Sequence, residues 1–291
     1  MAQTERDDPG PSGAVPAASM TKRVGRLSTI GWPERVALLT FCVLTVGLLL
    51  APWLLGPGEL DLVGDPFEGV LDPRLLGTDS QGRDLFARTV LGMRTSWFSA
   101  MGVIAIGALI GGAVGLIAGF AGGWVDTVLM RLTDAALALP GPLVALAVVA
   151  ATGPGLRNTL LAVAATWWPW YARIVRGQVF SLVRRPHVEA ARLGGIGRTR
   201  IAVVHVLPGT VGPVVVAASL DVGSVILVLS GLSFLGLGSP APAAELGAMT
   251  ARGLTFLFNA PWVAIAPGTA LFLLGMIANF AGDATRDLLE G

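Results

Sequence analysis

Residues 186–208 read Pro186-His187-Val188-Glu189-Ala190-Ala191-Arg192-Leu193-Gly194-Gly195-Ile196-Gly197-Arg198-Thr199-Arg200-Ile201-Ala202-Val203-Val204-His205-Val206-Leu207-Pro208, between two long apolar stretches. Proline suits a first helical position and paired glycines suit a helix end. Pro186 and Gly194-Gly195 therefore bracket a helix of about eight residues, ~12 Å long. Glu189 and Arg192 stand three apart and can pair on one face, while Ala190 and Ala191 leave another face nearly bare. A second short helical stretch is expected after the glycines. Such a helix–glycine–helix segment suits a grip by another protein, and it equally suits an ordinary connector.

The flanking apolar stretches belong to a wider pattern. Hydrophobic residues make up 53% of the 291-residue chain and charged residues 13%, which points away from a soluble domain and toward an all-α polytopic membrane protein. The formal net charge of +1 gives no reason to expect nucleic-acid binding. The single cysteine, Cys42, lies inside an apolar run and excludes an intrachain disulfide and a multi-cysteine metal site.

Six apolar stretches are long enough to cross ~30 Å of hydrocarbon: 35–55, 97–120, 125–150, 158–179, 211–235 and 262–281. Arg131, Asp134, Pro140 and the Trp167-Trp168-Pro169-Trp170 cluster interrupt the third and fourth, where Pro140 and Pro169 predict kinks. The expected organisation is a disordered cytoplasmic tail at 1–33, a first transmembrane helix at 34–56, and an outward-facing segment at 57–96. A five-helix core at 97–291 follows, with its cytoplasmic loop at 180–208. No small-residue cleavage pattern follows the first span, which reads as an uncleaved anchor.

Arginine placement orients the chain. Lys22, Arg23, Arg26 and Arg35 precede span one, and Arg173, Arg176, Arg184, Arg185, Arg192, Arg198 and Arg200 crowd the region between spans four and five. Six spans put both regions on one side, the cytoplasm, with both termini there and with 57–96 and 236–261 facing outward. Lys22 is the only lysine, so no GxxxxGK[ST] phosphate-binding loop exists in the chain. If transport is driven by ATP, another polypeptide hydrolyses it.

The quoted loop resembles a known motif. Glu189-Ala190-Ala191, Gly195 and Leu207-Pro208, with His205 in the variable position, match the EAA loop of ABC-importer membrane subunits. Leu76-Gly77-Thr78-Asp79-Ser80-Gln81-Gly82-Arg83-Asp84, with Gly92 and Arg94-Thr95-Ser96, resembles the GTDxxGRD block of the dipeptide/oligopeptide/nickel branch. Gly122-Gly123-Trp124-Val125-Asp126 through Pro140, Trp168-Pro169 with Tyr171-Ala172-Arg173, Leu232 to Gly238, and Gly282-Asp283 with Arg286-Asp287 are similar to further blocks of that branch. Together they run in order from about residue 70 to the C-terminus. The chain is thus identified as resembling a C-type permease with the type I ABC importer permease fold.

That resemblance implies an inner-membrane permease subunit of an importer, with di- or oligopeptides the first choice of cargo and nickel or another small solute the alternative. It implies four kinds of partner: a second homologous permease, ATP-binding subunits, an extracytoplasmic substrate-binding protein and the lipid bilayer. No cofactor is expected in this chain; ATP and Mg belong to the partner subunits. Pro186, His187, Glu189, Ala190, Ala191, Arg192, Gly195, His205, Leu207 and Pro208 would form the ATPase-coupling loop. Gly77, Thr78, Asp79, Gly82, Arg83 and Asp84 form the outward signature. The chain departs from the branch's usual pattern at Leu229, where an acidic residue is common, at Gly209, where Asn is common, and at Glu245-Leu246-Gly247, where Ser-Trp-Gly is typical. These changes bear on the cargo.

Asp134 and Asp221 fall near the middle of spans three and five, where an ionisable group is costly, and are candidates for the translocation pathway. Arg131, three residues from Asp134, offers a purely structural pairing; no local partner for Asp221 is visible. Gly107, Gly111, Gly115 and Gly119 form a ridge suited to close helix packing, with the partner helix unspecified. Trp167 to Tyr171 read as packing around the Pro169 kink. The two histidines, His187 and His205, lack a third ligand nearby and make poor metal candidates. Two rivals stand beside the permease reading. One is an intramembrane serine hydrolase at Ser230, which needs a general base the histidines are badly placed to supply. The other is a channel or secondary transporter with no ATPase.

Overall fold

Helix boundaries follow local signals that span reading by apolarity alone does not use. A computed structural model of the chain describes residues 31–55, 58, 60–71 and 74–290, and among these the regular elements are helices. The expected tail at 1–33 falls, up to residue 30, outside the described residues. Helix α1 (Trp32–Leu54) carries Pro33 in its first turn, where a missing N–H costs nothing. It is peripheral, burying only Leu48 and Ala51, and Trp97 of the next helix meets it through Phe41 and the Thr45 hydroxyl.

Helix α2 (Leu85–Ala121) begins well before residue 97, because the Asp84 side chain accepts the Ala87 N–H at 3.0 Å and caps it. Residues 85–96, expected in the outer segment, are helical. Their polar side chains hid them from an apolar window.

The glycine ridge finds its partner within the chain. Helix α5 (Leu156–Val183) lies against α2, and a Cβ placed on Gly107, Gly111, Gly115 or Gly119 would come within 3.3, 2.7, 2.9 and 2.8 Å of the Cβ of Trp167, Tyr171, Val175 and Val179 respectively. Two rows of four-residue period therefore face each other, glycines on one helix and larger side chains on the other. This contact is the spine of the fold.

The third expected span is broken. Helices α3 (Gly123–Leu137) and α4 (Gly141–Thr152) meet at 82° across residues 138–140, so Pro140 ends one helix and caps the next rather than kinking a single one. Pro169, by contrast, sits buried inside an uninterrupted α5.

Helix α6 (Pro186–Leu193) ends where paired glycines predict. The expected second short helix is not a separate element. Helix α7 (Arg198–Arg200), a π-helical turn (Ile201–Val206) and α8 (Leu207–Phe234) form one rod, Arg198–Phe234, of 37 residues. Helices α9 (Leu246–Gly253) and α10 (Trp262–Glu290) complete the order, with α10 packed on α8.

By length and apolarity α1, α2, the α7–α8 rod and α10 can each cross a membrane, and the bent α3–α4 pair makes up to five. Helix α5 is long enough but too polar for that criterion, and its polar groups are met by α3 and α8. The main core gathers Trp97, Val149, Tyr171, Ile226 and Leu274 from five helices.

Candidate functional site

At one end of the molecule a small separate core, Val175, Val179, Leu182, Val188, Ile201 and Val206, ties α6 to the last turns of α5 and the first turns of the rod. Val188 is the one residue of α6 that is buried; His187, Glu189, Ala190, Arg192 and Leu193 face out. Leu193 is 86% exposed, an apolar side chain held out on a charged helix. Glu189 and Arg192 do not pair with each other, contrary to the spacing expectation, and among the described residues neither has an ion-pair partner.

The turn after α6 has an identifiable geometry. Gly195 adopts φ +78°, its N–H bonds to the Arg192 carbonyl at 3.1 Å, and the Ile196 N–H reaches back to the Ala191 carbonyl at 3.1 Å. This pair of bonds is a Schellman termination, which needs a left-handed residue that glycine supplies most cheaply. Beyond the turn, a Cβ on Gly209 would lie 2.8 Å from Leu182 Cδ1, so the residue after Leu207-Pro208 is small because α5 crosses there.

Asp221 and Asp134 separate in the structure. Asp221 Oδ2 accepts the Tyr171 hydroxyl at 2.8 Å and the Trp167 indole N–H at 3.1 Å, both from α5. These are the partners that were invisible locally. Among the described residues its other carboxylate oxygen has no hydrogen-bond partner and is not enclosed, and the exposed Ser224 lies one turn away on the same face. Asp134 pairs with Arg173 of α5 at 2.6 Å, not with Arg131, and both side chains are about half exposed. The sequence reading missed a second clasp between the same helices: Arg176 donates through Nε and Nη2 to the two oxygens of Asp126 at 2.5 and 2.6 Å. A bidentate fork of this kind fixes orientation as well as distance.

At the other end the block Gly77 to Asp84 folds onto the 60–71 strip. Thr78, fully buried, donates to the Asp65 carbonyl at 2.6 Å and accepts the Glu68 N–H at 2.8 Å. Asp79 Oδ1 accepts the N–H groups of Gln81 and Arg83, its Oδ2 lies 3.3 Å from Arg88 Nε, and Asp84 pairs with Arg74 at 3.2 Å. Gly77 and Gly82 have φ +70° and +78°, and a Cβ on Gly82 would strike the Gly64 backbone. Glu245, 4% exposed, accepts the Ser233 hydroxyl and, at 2.8 Å, the Ser239 N–H, which closes the loop between α8 and α9.

Ser230 does not read as a nucleophile. Its hydroxyl is buried without a hydrogen-bond partner, and the two histidines lie at the α6 end. Among the described residues no cluster of three or more His, Cys, Asp or Glu is placed to hold a metal ion.

Residues 111–290 match the model of the family described as binding-protein-dependent transport system inner membrane component. The chain belongs to that family.

Related permeases agree in length as well as sequence. The nickel transport system permease protein of Escherichia coli (strain K12) is 38% identical over 268 residues, covering 89% of this chain and 94% of that protein. The probable D,D-dipeptide transport system permease protein of the same strain is 37% identical over 248 residues, covering 84% and 82%. The glutathione transport system permease protein of Pectobacterium atrosepticum is 41% identical over 223 residues, covering 77% and 74%. The chain is an ABC-importer permease and a multi-pass inner-membrane protein.

Proposed function

We propose that this permease is one of two homologous membrane subunits of an ATP-driven importer and carries di- or oligopeptides through alternating access. The reading rests above all on α6, an exposed helix whose buried Val188 joins it to the core beneath α5 and α8. A helix so mounted transmits a push from outside to both spans at once.

On this reading α6 is the coupling helix. Glu189, Ala190, Arg192 and Gly195 dock on a separate ATP-binding subunit, with His187, His205 and the Leu207-Pro208 entry at the margin. Both termini and the 180–208 loop are cytoplasmic, and the Gly77–Asp84 block and the 236–261 loop face outward to meet a substrate-binding protein. Helix α5 is the sixth crossing, screened from lipid by α2, α3 and α8. The partly buried Asp221 lines the pathway, and Asp134, paired to Arg173, borders it. An open carboxylate oxygen on α8 suits the terminal ammonium of a peptide, and relatives are named for D,D-dipeptide, glutathione and nickel transport.

Purification of the chain with its co-encoded subunits, reconstitution in liposomes, and assay of ATP-dependent uptake test the reading. Co-purification of an ATP-binding subunit and uptake of labelled di- or tripeptides are expected. Uptake of a nickel complex alone removes the peptide assignment, and ATP-independent flux removes the importer assignment.

A further inference from the structure

Beside the Gly77–Asp84 block lies a pocket of about 90 Å³ lined by Asp79, Arg83, Arg88 and Arg252 and closed below by Leu85 and Val263. Three guanidinium groups meet there with one lining carboxylate. Asp79 is already committed, to two backbone N–H groups and to Arg88. Arg88 also donates to the Pro242 carbonyl at 2.9 Å.

Among the described residues no carboxylate pairs with either of the remaining two arginines. Arg83 Nε is enclosed and makes no hydrogen bond, and the Arg252 guanidinium donates to a neutral carbonyl, that of Ala243, at 3.2 Å. Glu245, which is near enough to favour the charge on Arg252, has both oxygens taken by Ser233 and Ser239. Burial holds the Arg252 guanidinium below its ordinary value against the charges of Glu245 and Asp79, and the neighbouring charge on Arg83 adds to the lowering. An enclosed, unpaired donor beside a like charge is costly unless an anion arrives.

The size of the pocket restricts what arrives. Small-molecule sites occupy roughly 300–1,000 Å³, so this one admits a single functional group rather than a whole cargo molecule. A planar carboxylate matches a guanidinium in a two-bond fork. The adjoining turn also presents Phe258, 97% exposed, with Leu254 and Leu257 partly exposed beside it. An apolar anchor next to a charged socket is the layout of a protein-docking surface.

We propose that Arg83 and Arg252 form a socket for an acidic side chain of the substrate-binding protein, which seats that protein on the outward face with Phe258 as the adjoining apolar contact. The proposal rests on the outward orientation given above. It gives the Arg83 of the outward block a task its neighbours do not have: they fold the loop, whereas its guanidinium waits for a partner.

The test uses the whole complex in lipid nanodiscs and the binding protein of the same transport system. Arg83→Gln and Arg252→Gln, made separately in case one disturbs the loop, are each expected to weaken docking by about tenfold or more and to flatten its salt dependence. Arg83→Glu is expected to dock again when the matching Asp or Glu of the binding protein is changed to Arg. Docking unchanged in both Gln variants overturns the proposal, as does a changed KM for cargo with docking intact, which would assign the socket to a cargo carboxylate. Orientation is read independently with Ser80→Cys in a Cys42→Ser background. Labelling by an impermeant maleimide from the outside is expected; labelling from the cytoplasmic side alone overturns the orientation, and the socket's partner with it.

Discussion

Tyr171 on α5 and Asp221 on α8 are joined by a 2.8 Å hydrogen bond to the same carboxylate oxygen that Trp167 reaches, and the second oxygen is left open. The carboxylate is held on one side and available on the other. Asp221→Asn retains an acceptor for both donors and removes the charge. The assembled complex is expected to purify normally while the uptake rate at saturating loaded binding protein falls by about tenfold or more. Asp221→Ala leaves two donors without a partner and is expected to lower the stability of the permease by about 1–3 kcal/mol per group. Thermal unfolding in detergent compares the two; equal loss of stability in both would make Asp221 structural.

The α2–α5 spine allows a paired comparison on one helix. Gly115→Val would drive its side chain into Val175 and the Ala172 carbonyl, whereas a Cβ on Gly112 meets nothing within 4 Å. Gly112→Ala is expected to be neutral in membrane-inserted yield and melting temperature. Gly115→Val is expected to lose at least about 1–3 kcal/mol, seen as a sharp fall in folded protein. Similar behaviour of the two would remove the close packing of these helices.

The proposed coupling through α6 has separable parts. Gly195→Asp places a β-carbon at φ +78° and adds charge to the turn, and it is expected to abolish ATP-dependent uptake while the permease remains in the membrane. Val188→Asp buries a charge in the small core at the ends of α5 and α8, so it is expected to free α6 from those spans: ATP hydrolysis persists but no longer responds to the binding protein. Simultaneous assays of hydrolysis and uptake check both variants. Normal uptake with Gly195→Asp counts against the coupling role.

The α3–α5 clasp predicts a double-mutant cycle. Asp126→Asn or Arg176→Gln alone leaves its former partner unpaired, and each is expected to destabilise the permease. The double variant is expected to be more stable than the sum of the single losses implies. Additive melting shifts would deny the pair any coupling.

Sequence and structure agree where the signal is local. The bounds of α6 follow from Pro186 and the two glycines, and the ridge on α2 is plain in its four-residue spacing. What lies across from such a row is not written in the row, so the 167–171–175–179 partner needed the fold. Spacing also misled: Arg131 stands one turn from Asp134, yet Arg173 on another helix holds it, because side chains on one face need not point at one another. Apolar windows began α2 at 97, as Arg88 and Arg94 lie in its first turns, and joined α3 to α4, as proline alone does not distinguish a kink from an 82° break. The Asp126 clasp was legible only in hindsight, since its arginine stands fifty residues away.

The π turn at Ile201–Val206 carries a consequence for angular phase. A π segment accommodates an extra residue within a helix that otherwise advances about 100° per residue. The α6 loop and the face of α8 bearing Asp221 are therefore locked at an azimuth that an unbroken α-helix of the same length would miss. Removing one residue from that turn would restore regular winding and swing the α6 loop around the rod's axis relative to Asp221, so that a push on the loop would reach α8 from the wrong direction.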